Sequence, residues 1–357
     1  MKLTFNDVII EPTFSNIRSR KNCTTEVVFQ GNVFSVPIIS SNMDTVTDVK
    51  MANALGKINI LSSLHRFCTV QENVSMYKAC ENKKTTYASI GVGATESERF
   101  MELYDAGCRN FVIDVAHGAS IQVIDMLEFI EQKTGLTTNL IVGNFASGKG
   151  VKQFEKIAKE RGIRNPFAVK VGVGPGSMCT TRLVTGCGYP QISAIQEIRS
   201  ELPHRQIIAD GGIKSTGDIA KALVAGADLV MIGGMLAGSE ETPGDIYSEL
   251  GFNLSRSDRS YTEEAIAYKN AYKKYRGSAS KESYEAQGKV ADHRTPEGEA
   301  TLIPYKGPVA NVIQQIQAGL QSAMSYVGCS NISDFKRCAE LVQISQAGYR
   351  EGEAHGK

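Results

Sequence analysis

The sequence predicts a (β/α)8 barrel, an α/β fold, from eight short apolar segments, helical periodicity between them and polar residues at their carboxyl ends. Most of these segments begin 21 to 29 residues apart, the length of one strand and one helix. Runs of consecutive apolar residues suit strands buried on both faces, as in a parallel sheet covered by helices. The predicted strands are 37–41, 58–63, 87–91, 110–115, 139–143, 168–172, 206–210 and 229–233.

The segments between these strands place apolar residues at helical spacing. Two such faces consist of Val151, Phe154, Ile157 and Ala158, and of Ile219, Ala222, Leu223 and Ala225. A doubly wound open sheet shares this alternation and is the rival fold. Small and polar residues after the strands favour the barrel, because barrel enzymes build their sites on that rim. These residues are 42–44, His65, Arg66, Asp114, Asn144, Cys179, 210–212, Gly233 and Gly234.

A long excursion, residues 236–307, follows the eighth strand. Its central part, 276–300, contains only Val290 among Val, Ile, Leu, Met and Phe, so it cannot form a core of its own. We interpret it as a lid, with a plain surface insertion as the alternative. The last helix places Val309, Val312, Ile313, Ile316 and Leu320 on one face. We expect a single barrel domain over residues 1–357.

Composition favours a small-molecule partner. Lys and Arg total 39 against 38 Asp and Glu, so no overall field attracts nucleic acid or anionic lipid. An uninterrupted apolar stretch of ~18 residues, as a membrane span requires, is absent. The eight cysteines form no C-x-x-C pair, and the five histidines show no zinc-binding spacing. We expect a cytoplasmic protein with free thiols.

The loop at 172–182, GVGPGSMCTTR, presents Cys179 among glycines and hydroxyls. Glycines let the backbone bend sharply and approach a ligand, and exposed N–H groups can hold an anion. The spacing therefore predicts a nucleophile beside an anion site, whereas a buried structural thiol is the ordinary alternative.

Three glycine turns, at Gly176, at 211–212 and at 233–234, follow strands six to eight, where barrels commonly bind phosphate. Any one of them is also explained by a simple turn. Together with Asp210, which could accept hydrogen bonds from ribose, they predict a nucleoside monophosphate site. Arg66 and Arg20 are suited to a cofactor phosphate or to plain surface exposure.

Further motifs along the chain are similar to those of a known superfamily. They are FNDV at 5–8, SNMDTV at 41–46, DVAHG at 114–118, IADGG at 208–212, MIGG at 231–234 and PYKGP at 304–308. With the cysteine loop, they show that the chain resembles the IMP dehydrogenase and GMP reductase superfamily over nearly its whole length. The resemblance implies a barrel and a covalent thioimidate on Cys179.

Three features favour the reductase branch. Only 23 residues separate predicted strands two and three, which leaves no room for the tandem regulatory (CBS) insertion of many dehydrogenases. Residues 278–284 lack the Arg-Tyr pair with which dehydrogenases activate water. Segments 42–44 and 188–191 are similar to the reductase versions.

The resemblance implies that Cys179 attacks carbon 2 of GMP, that Thr181 and Glu297 relay protons to the departing ammonia, and that NADPH reduces the intermediate to IMP. The implied nucleotide contacts are Ser177, Asp210, Gly211, Gly212, Gly233, Gly234, Arg294 and Gly298. The implied NADPH contacts are Ser19, Arg20, Arg66, Asp114, Val115, Ala116, Val173, Gly174, Ser322 and Ser325. The implied potassium ligands are the carbonyls of Gly174, Gly176 and Cys179. The family also implies a homotetramer.

The chain departs from the family at three places. Arg66 replaces the usual lysine, residues 277–279 read Gly-Ser-Ala where relatives often have Gly-Met-Ser, and Pro296 precedes Glu297. Three alternatives remain open: an IMP dehydrogenase, a reductase that prefers dGMP, and a nucleotide-binding barrel without turnover.

Overall fold

Eight parallel strands form the predicted barrel in the computed structural model, which describes residues 1–256, 259–267, 269–282 and 296–352. The described strands are β1 (Val8–Ile10), β2 (Val27–Phe29), β3 (Asn32–Phe34), β4 (Ile38–Ser40), β5 (Ser62–Leu64), β6 (Thr86–Ile90), β7 (Asn110–Asp114), β8 (Asn139–Phe145), β9 (Phe167–Val171), β10 (Ile207–Asp210), β11 (Leu229–Ile232), β12 (Ile246–Tyr247), β13 (Tyr272–Arg276), β14 (Ala300–Pro304) and β15 (Leu341–Gln343).

The described helices are α1 (Val49–Lys57), α2 (Val70–Ala79), α3 (Ala94–Asp105), α4 (Ile121–Thr134), α5 (Gly148–Glu160), α6 (Thr181–Thr185), α7 (Gln191–Glu201), α8 (Thr216–Val224), α9 (Arg259–Ala267), α10 (Val309–Val327), α11 (Ile332–Cys338) and α12 (Gln346–Glu351). Short 3-10 helices cover Phe5–Asp7, Arg20–Asn22 and Leu254–Arg256.

The barrel strands β4 to β11 lie side by side in chain order, and β4 also pairs with β11. A parallel bridge between Ile39 and Leu61 connects β4 to β5 and closes the ring. The β2–β3 hairpin covers the amino-terminal end, where Phe29 and Phe34 pack on the inward-facing residues of the strands. The carboxyl end is thereby left for a binding site, as in other barrels of this kind.

The predicted amphipathic helices are confirmed. Val151 and Phe154 of α5 and Ile219 of α8 are buried against the strands. The last helix, α10, buries Ile313 and Leu320 in the same core. Each helix therefore covers the barrel with the face that its periodicity predicts.

The second predicted strand, 58–63, is placed too early. Helix α1 extends to Lys57, and the N–H of Ile58 donates to the carbonyl of Leu55, so this residue ends the helix. Asn59 then adopts a φ of 56°, which turns the chain before β5 begins at Ser62. The apolar run combines a helix end with a strand, and apolarity alone does not separate the two.

The excursion after β11 contains a three-stranded antiparallel sheet in the order β12, β13, β14. Tyr275 of β13 is buried, and Arg276 pairs with Asp44 beyond β4. We call this small sheet with residues 277–280 and 296–299 the lid segment, after the role that the sequence predicts for the excursion. Among the described helices, none has the length and apolarity needed to cross a membrane.

Candidate active site

A cavity of about 460 Å³ opens at the carboxyl end of the barrel. Its volume lies within the range of small-molecule sites. The wall brings together the lid segment, the loops that follow six of the barrel strands, and Asn144 from the end of a seventh, β8. Predicted site residues that line it are Arg66, Asp114, Val115, Ala116, Val173, Gly174, Gly176, Ser177, Cys179, Thr181, Asp210, Gly211, Gly212, Gly233, Gly234, Glu297 and Gly298.

Cys179 lies in the tight loop between β9 and α6. Its N–H donates to the carbonyl of Gly176 at 3.1 Å, and α6 begins two residues later at Thr181. The loop starts at Gly172, which has a φ of 149°, and a side chain there would begin 1.9 Å from the carbonyl oxygen of Asp210. Glycine is therefore required at this position for the loop to turn across β10.

A chain of two hydrogen bonds connects the thiol to a carboxylate. The Sγ of Cys179 lies 3.1 Å from the Oγ1 of Thr181, whose hydroxyl donates to Oε2 of Glu297 at 2.6 Å. Threonine and glutamate so arranged can pass a proton between the thiol and a bound substrate. The predicted catalytic residues thus lie in one hydrogen-bonded line.

Backbone pairing holds Glu297 in this line. The N–H of Thr180 donates to the carbonyl of Glu297 at 2.8 Å, and the N–H of Glu299 donates to the carbonyl of Met178 at 2.9 Å. Gly277 lies against the same pairing, since a side chain there would begin 2.9 Å from the carbonyl of Met178. The lid segment and the cysteine loop therefore form one continuous wall.

The glycine turn after β11 lies beside two hydroxyl groups. Ser177 Oγ and Tyr275 Oη lie 3.7 and 3.6 Å from the point where a side chain on Gly234 would begin. Burial raises the pKa of Tyr275, although the hydroxyl of Ser177 opposes the shift, so its hydroxyl stays a donor at neutral pH. Lys306 donates to the carbonyl of Gly234 at 2.9 Å and holds the turn. Small residues beside hydroxyl donors suit an anionic group.

Four polar residues from β7 to β10 lie at the floor of the cavity. Lys170 Nζ lies 2.8 Å from Asp114 Oδ1 and 2.7 Å from Asp210 Oδ2, and it also contacts Oδ1 of Asn144. Burial would lower the pKa of Lys170, but the two carboxylates outweigh it and raise that pKa. Burial would raise the pKa of Asp114, yet Lys170 and Arg66 lower it. Both groups are therefore charged at neutral pH.

Four of the predicted cofactor contacts do not line the cavity. Ser19 and Arg20 lie beside α10, where the guanidinium of Arg20 sits 5.9 Å from the ring centre of Tyr326. Ser322 and Ser325 belong to the same helix and are linked by a hydrogen bond of 2.7 Å. These four residues thus lie on or beside α10 and outside the cavity. Arg294, a predicted nucleotide contact, lies outside the described residues.

Sequence reasoning assigned no role to Lys170, Asn144 or Tyr275. A lysine inside the buried strand AVKVG is a usable signal, because a buried ammonium requires a charged partner. Asn144 was noted only as a polar residue after a strand. Tyr275 gives no such signal, since its position depends on how the lid segment folds over the barrel.

The donor set for a transition metal is lacking in the described parts of the chain, where no three His, Cys, Asp or Glu side chains converge. The carbonyls of Gly174, Gly176 and Cys179 are oxygen donors on one loop, the type of ligand that monovalent cations take. The carbonyl oxygen of Gly176 already accepts one hydrogen bond, from the N–H of Cys179, and retains a second lone pair.

Comparisons with known proteins agree on one family. A family model described as "IMP dehydrogenase / GMP reductase domain" matches residues 2–355. The chain is 35% identical over 339 residues to a GMP reductase of Lactobacillus delbrueckii subsp. bulgaricus, covering 93% of this chain and 92% of that protein. It is 39% identical over 287 residues to an inosine-5'-monophosphate dehydrogenase of Rhizobium tropici, covering 80% of this chain and 54% of that protein.

Among solved structures, the chain is similar to a GMP reductase variant from Trypanosoma brucei, crystallised with guanosine 5'-monophosphate. The TM-score is 0.86 at 25% identity, with 100% of this chain and 98% of that chain covered. The similarity therefore extends over the barrel and the segment that follows it.

Proposed function

Since this chain belongs to the IMP dehydrogenase/GMP reductase family of oxidoreductases, we propose that it is a GMP reductase, which converts GMP, NADPH and one proton to IMP, ammonia and NADP⁺. The observation that carries this proposal is the hydrogen-bonded line from Cys179 through Thr181 to Glu297. Full-length similarity to a GMP reductase supports the same branch.

The hydrogen-bonded line from Cys179 to Glu297 contains the nucleophile and the proton-transferring groups that deamination requires. Cys179 attacks carbon 2 of the guanine ring as a thiolate, and its proton passes through Thr181 to Glu297. The same path returns a proton to the 2-amino group, which leaves as ammonia, so that a thioimidate joins the sulfur to carbon 2. The carbon–sulfur bond breaks once carbon 2 has been reduced, and IMP is released.

The nucleotide is held from both sides of the cysteine. We assign the phosphate to Ser177, Tyr275 and the turn at Gly233 and Gly234, and the ribose to Asp210. Gly211, Gly212 and Gly298 permit close approach of the backbone, and Arg294 is kept as a further contact on the strength of the resemblance.

The cofactor side of the cavity fits a phosphorylated dinucleotide. Arg66 Nε is buried without an acceptor among the described residues, although the same guanidinium donates to the carbonyl of Asp114 at 3.2 Å. NADPH, when bound, supplies the hydride that reduces carbon 2. We assign its contacts within the chain to Arg66, 114–116, Val173 and Gly174.

Four predicted cofactor contacts, Ser19, Arg20, Ser322 and Ser325, lie on or beside α10, away from the cavity. We propose that they contact the cofactor of a neighbouring subunit in a homotetramer. A monovalent cation on the carbonyls of Gly174, Gly176 and Cys179 would fix the shape of the cysteine loop.

We further propose that residues 236–307 serve as a lid on the single barrel domain. The lid segment already supplies Glu297 and pairs with the loop at Met178. Exclusion of water matters because hydrolysis of the thioimidate would give XMP instead of IMP.

IMP dehydrogenase is the second candidate, since the relative from Rhizobium tropici is an IMP dehydrogenase. The missing Arg-Tyr pair at 278–284 favours the reductase, because nothing equivalent in that stretch would activate water. A preference for dGMP and a barrel without turnover remain alternatives for the same experiment.

The test is an assay in both directions. We expect GMP and NADPH to yield IMP and ammonia, whereas IMP and NAD⁺ should give little XMP. Cys179→Ala should abolish turnover while GMP binding, measured by calorimetry, is retained. Cys187→Ala, a change at an exposed thiol in the neighbouring loop, is the matched control and should keep the wild-type rate.

Each alternative function predicts a different result in these assays. XMP formation from IMP would favour the dehydrogenase, a higher kcat/KM for dGMP would favour the deoxynucleotide enzyme, and binding without product from either pair would favour the barrel without turnover. Wild-type activity in Cys179→Ala would exclude the covalent mechanism.

A further inference from the structure

Lys170 occupies the centre of the cavity floor, inside strand β9. Its side chain is only 1% exposed, and Nζ contacts one residue from each of β7, β8 and β10. Gly143 of β8 makes room for it, since a side chain there would begin 2.6 Å from the Cβ of Lys170. The ammonium group is therefore confined to one position between its neighbours.

This position joins two carboxylates that have different assignments. Asp210 lies on the nucleotide side of the cavity and Asp114 on the cofactor side, and both are within 2.8 Å of the same nitrogen. Asn144 completes the arrangement by donating to Asp210 Oδ2 at 2.9 Å and to the carbonyl of Gly172 at 2.7 Å. The floor is thus one connected network that reaches the start of the cysteine loop.

We propose that Lys170 is a positioning residue that orients Asp210 toward the nucleotide and Asp114 toward the cofactor, so that the two binding sites depend on one buried cation. The inference rests on the proposed function for the identity of the two ligands. A carboxylate held by a fixed ammonium keeps one rotamer and one charge state, which is what recognition of ribose and cofactor groups requires.

Removal of the Lys170 ammonium group would disturb the nucleotide side and the cofactor side of the cavity at once. Lys170→Met fills a similar volume but leaves two close, largely buried carboxylates without the charge that compensates them. They would repel each other, turn away and take up protons more readily. Arg66 still faces Asp114, and Tyr275 faces Asp210 from the lid segment, but neither lies between the two carboxylates.

The first measurement is calorimetric titration of wild type and Lys170→Met with GMP and, separately, with NADPH. We expect both affinities to fall together, each by about tenfold or more, because charged hydrogen bonds are lost on both sides. A loss confined to one ligand would overturn the proposed coupling.

The second measurement is the pH profile of kcat/KM for NADPH. In wild type the lowered pKa of Asp114 keeps it ionised to low pH. Loss of Lys170 raises that pKa, so the acidic limb should move to higher pH in Lys170→Met. Lys170→Arg restores a positive charge and should return the limb toward wild type, even if its larger head group lowers the rate. An acidic limb that does not move would reduce Lys170 to a structural role.

Lys273→Met is a matched control. Lys273 is also buried, at 3% exposure, but it donates to the carbonyls of Ser239, Glu240 and Thr242 and, within the described part of the chain, to no carboxylate. We expect it to lower stability without moving the acidic limb. If Lys170→Met does not fold, Lys170→Arg replaces it in the titrations and should bind both GMP and NADPH more weakly than wild type. Weaker binding of only one of them would contradict the proposal.

The outcomes also separate this inference from the proposed function. Wild type that binds both ligands without reducing GMP would contradict the proposed function, while joint weakening in the variant would still support the coupling. Normal wild-type turnover with an effect on only one ligand would contradict the coupling alone. Wild type that binds neither ligand would overturn both.

Discussion

Glu297 accepts a hydrogen bond of 2.6 Å from the hydroxyl of Thr181, which lies 116 positions earlier in the chain. The donor belongs to the cysteine loop and the acceptor to the lid segment. The hydrogen-bonded line from Cys179 is therefore complete only when these two parts of the chain are paired. Under the proposed mechanism, proton transfer depends on the same pairing that walls this side of the cavity.

We expect Glu297→Gln to reduce kcat by roughly 10²- to 10⁴-fold, the usual contribution of a positioned proton donor or acceptor. The amide oxygen can still accept from Thr181, so KM for GMP should stay close to that of wild type. Steady-state kinetics provide the measurement. Glu299→Gln is the control, because Glu299 is exposed and contributes its N–H, which the substitution leaves in place. An equal effect of the two substitutions would exclude Glu297 from the relay.

Arg276 of the lid segment contacts Asp44 through two nitrogen–oxygen pairs, at 3.2 and 2.6 Å. Asp44 is 9% exposed, so Arg276→Met would leave a nearly buried charge unpaired. We expect kcat/KM for GMP to fall about tenfold, which corresponds to ~1.4 kcal/mol, and the lid segment to be cleaved faster in limited proteolysis. Lys274→Met, at an exposed position of the same strand, should change neither. Unaltered proteolysis in Arg276→Met would show that this pair does not hold the lid segment.

Tyr275→Phe tests the assignment of the phosphate. The hydroxyl lies beside Gly234 and Ser177, and its loss should weaken GMP by about 10- to 100-fold, as expected for a hydrogen bond to a charged group. Guanosine lacks the phosphate, so its binding constant should not change. Tyr272→Phe, on the same strand, is the control. Equal weakening of GMP and guanosine would place the hydroxyl at the base or ribose instead.

Much of the barrel could be predicted from the sequence because its strands are buried on both faces and most of them are therefore mainly apolar. The boundary near Ile58 could not, since a buried helix end and a buried strand have the same composition. Here hydrogen bonding to Leu55 decides where the helix ends.

Part of the candidate site could likewise be predicted from the sequence, and part could not. Cys179 and the glycine turns could be predicted from their neighbours. A loop that approaches a ligand needs glycines and hydroxyl groups, which are a poor composition for a packed core. The partners of Lys170 could not, because they come from three other strands and meet only when the barrel closes. The same holds for Glu297, whose place beside Thr181 came from a resemblance and depends on pairing over a long chain distance.

The accessibility of the thiols gives a test that needs no turnover. Cys187 and Cys338 are exposed and should react first with iodoacetamide, whereas burial raises the pKa of Cys68 and Cys80 to about 11 and should make both slow. Cys179 faces the cavity. GMP should therefore slow its alkylation while leaving that of Cys187 unchanged, as followed by peptide mass spectrometry. Equal protection of both thiols would indicate a general tightening of the protein, and absence of protection at Cys179 would place the nucleotide elsewhere.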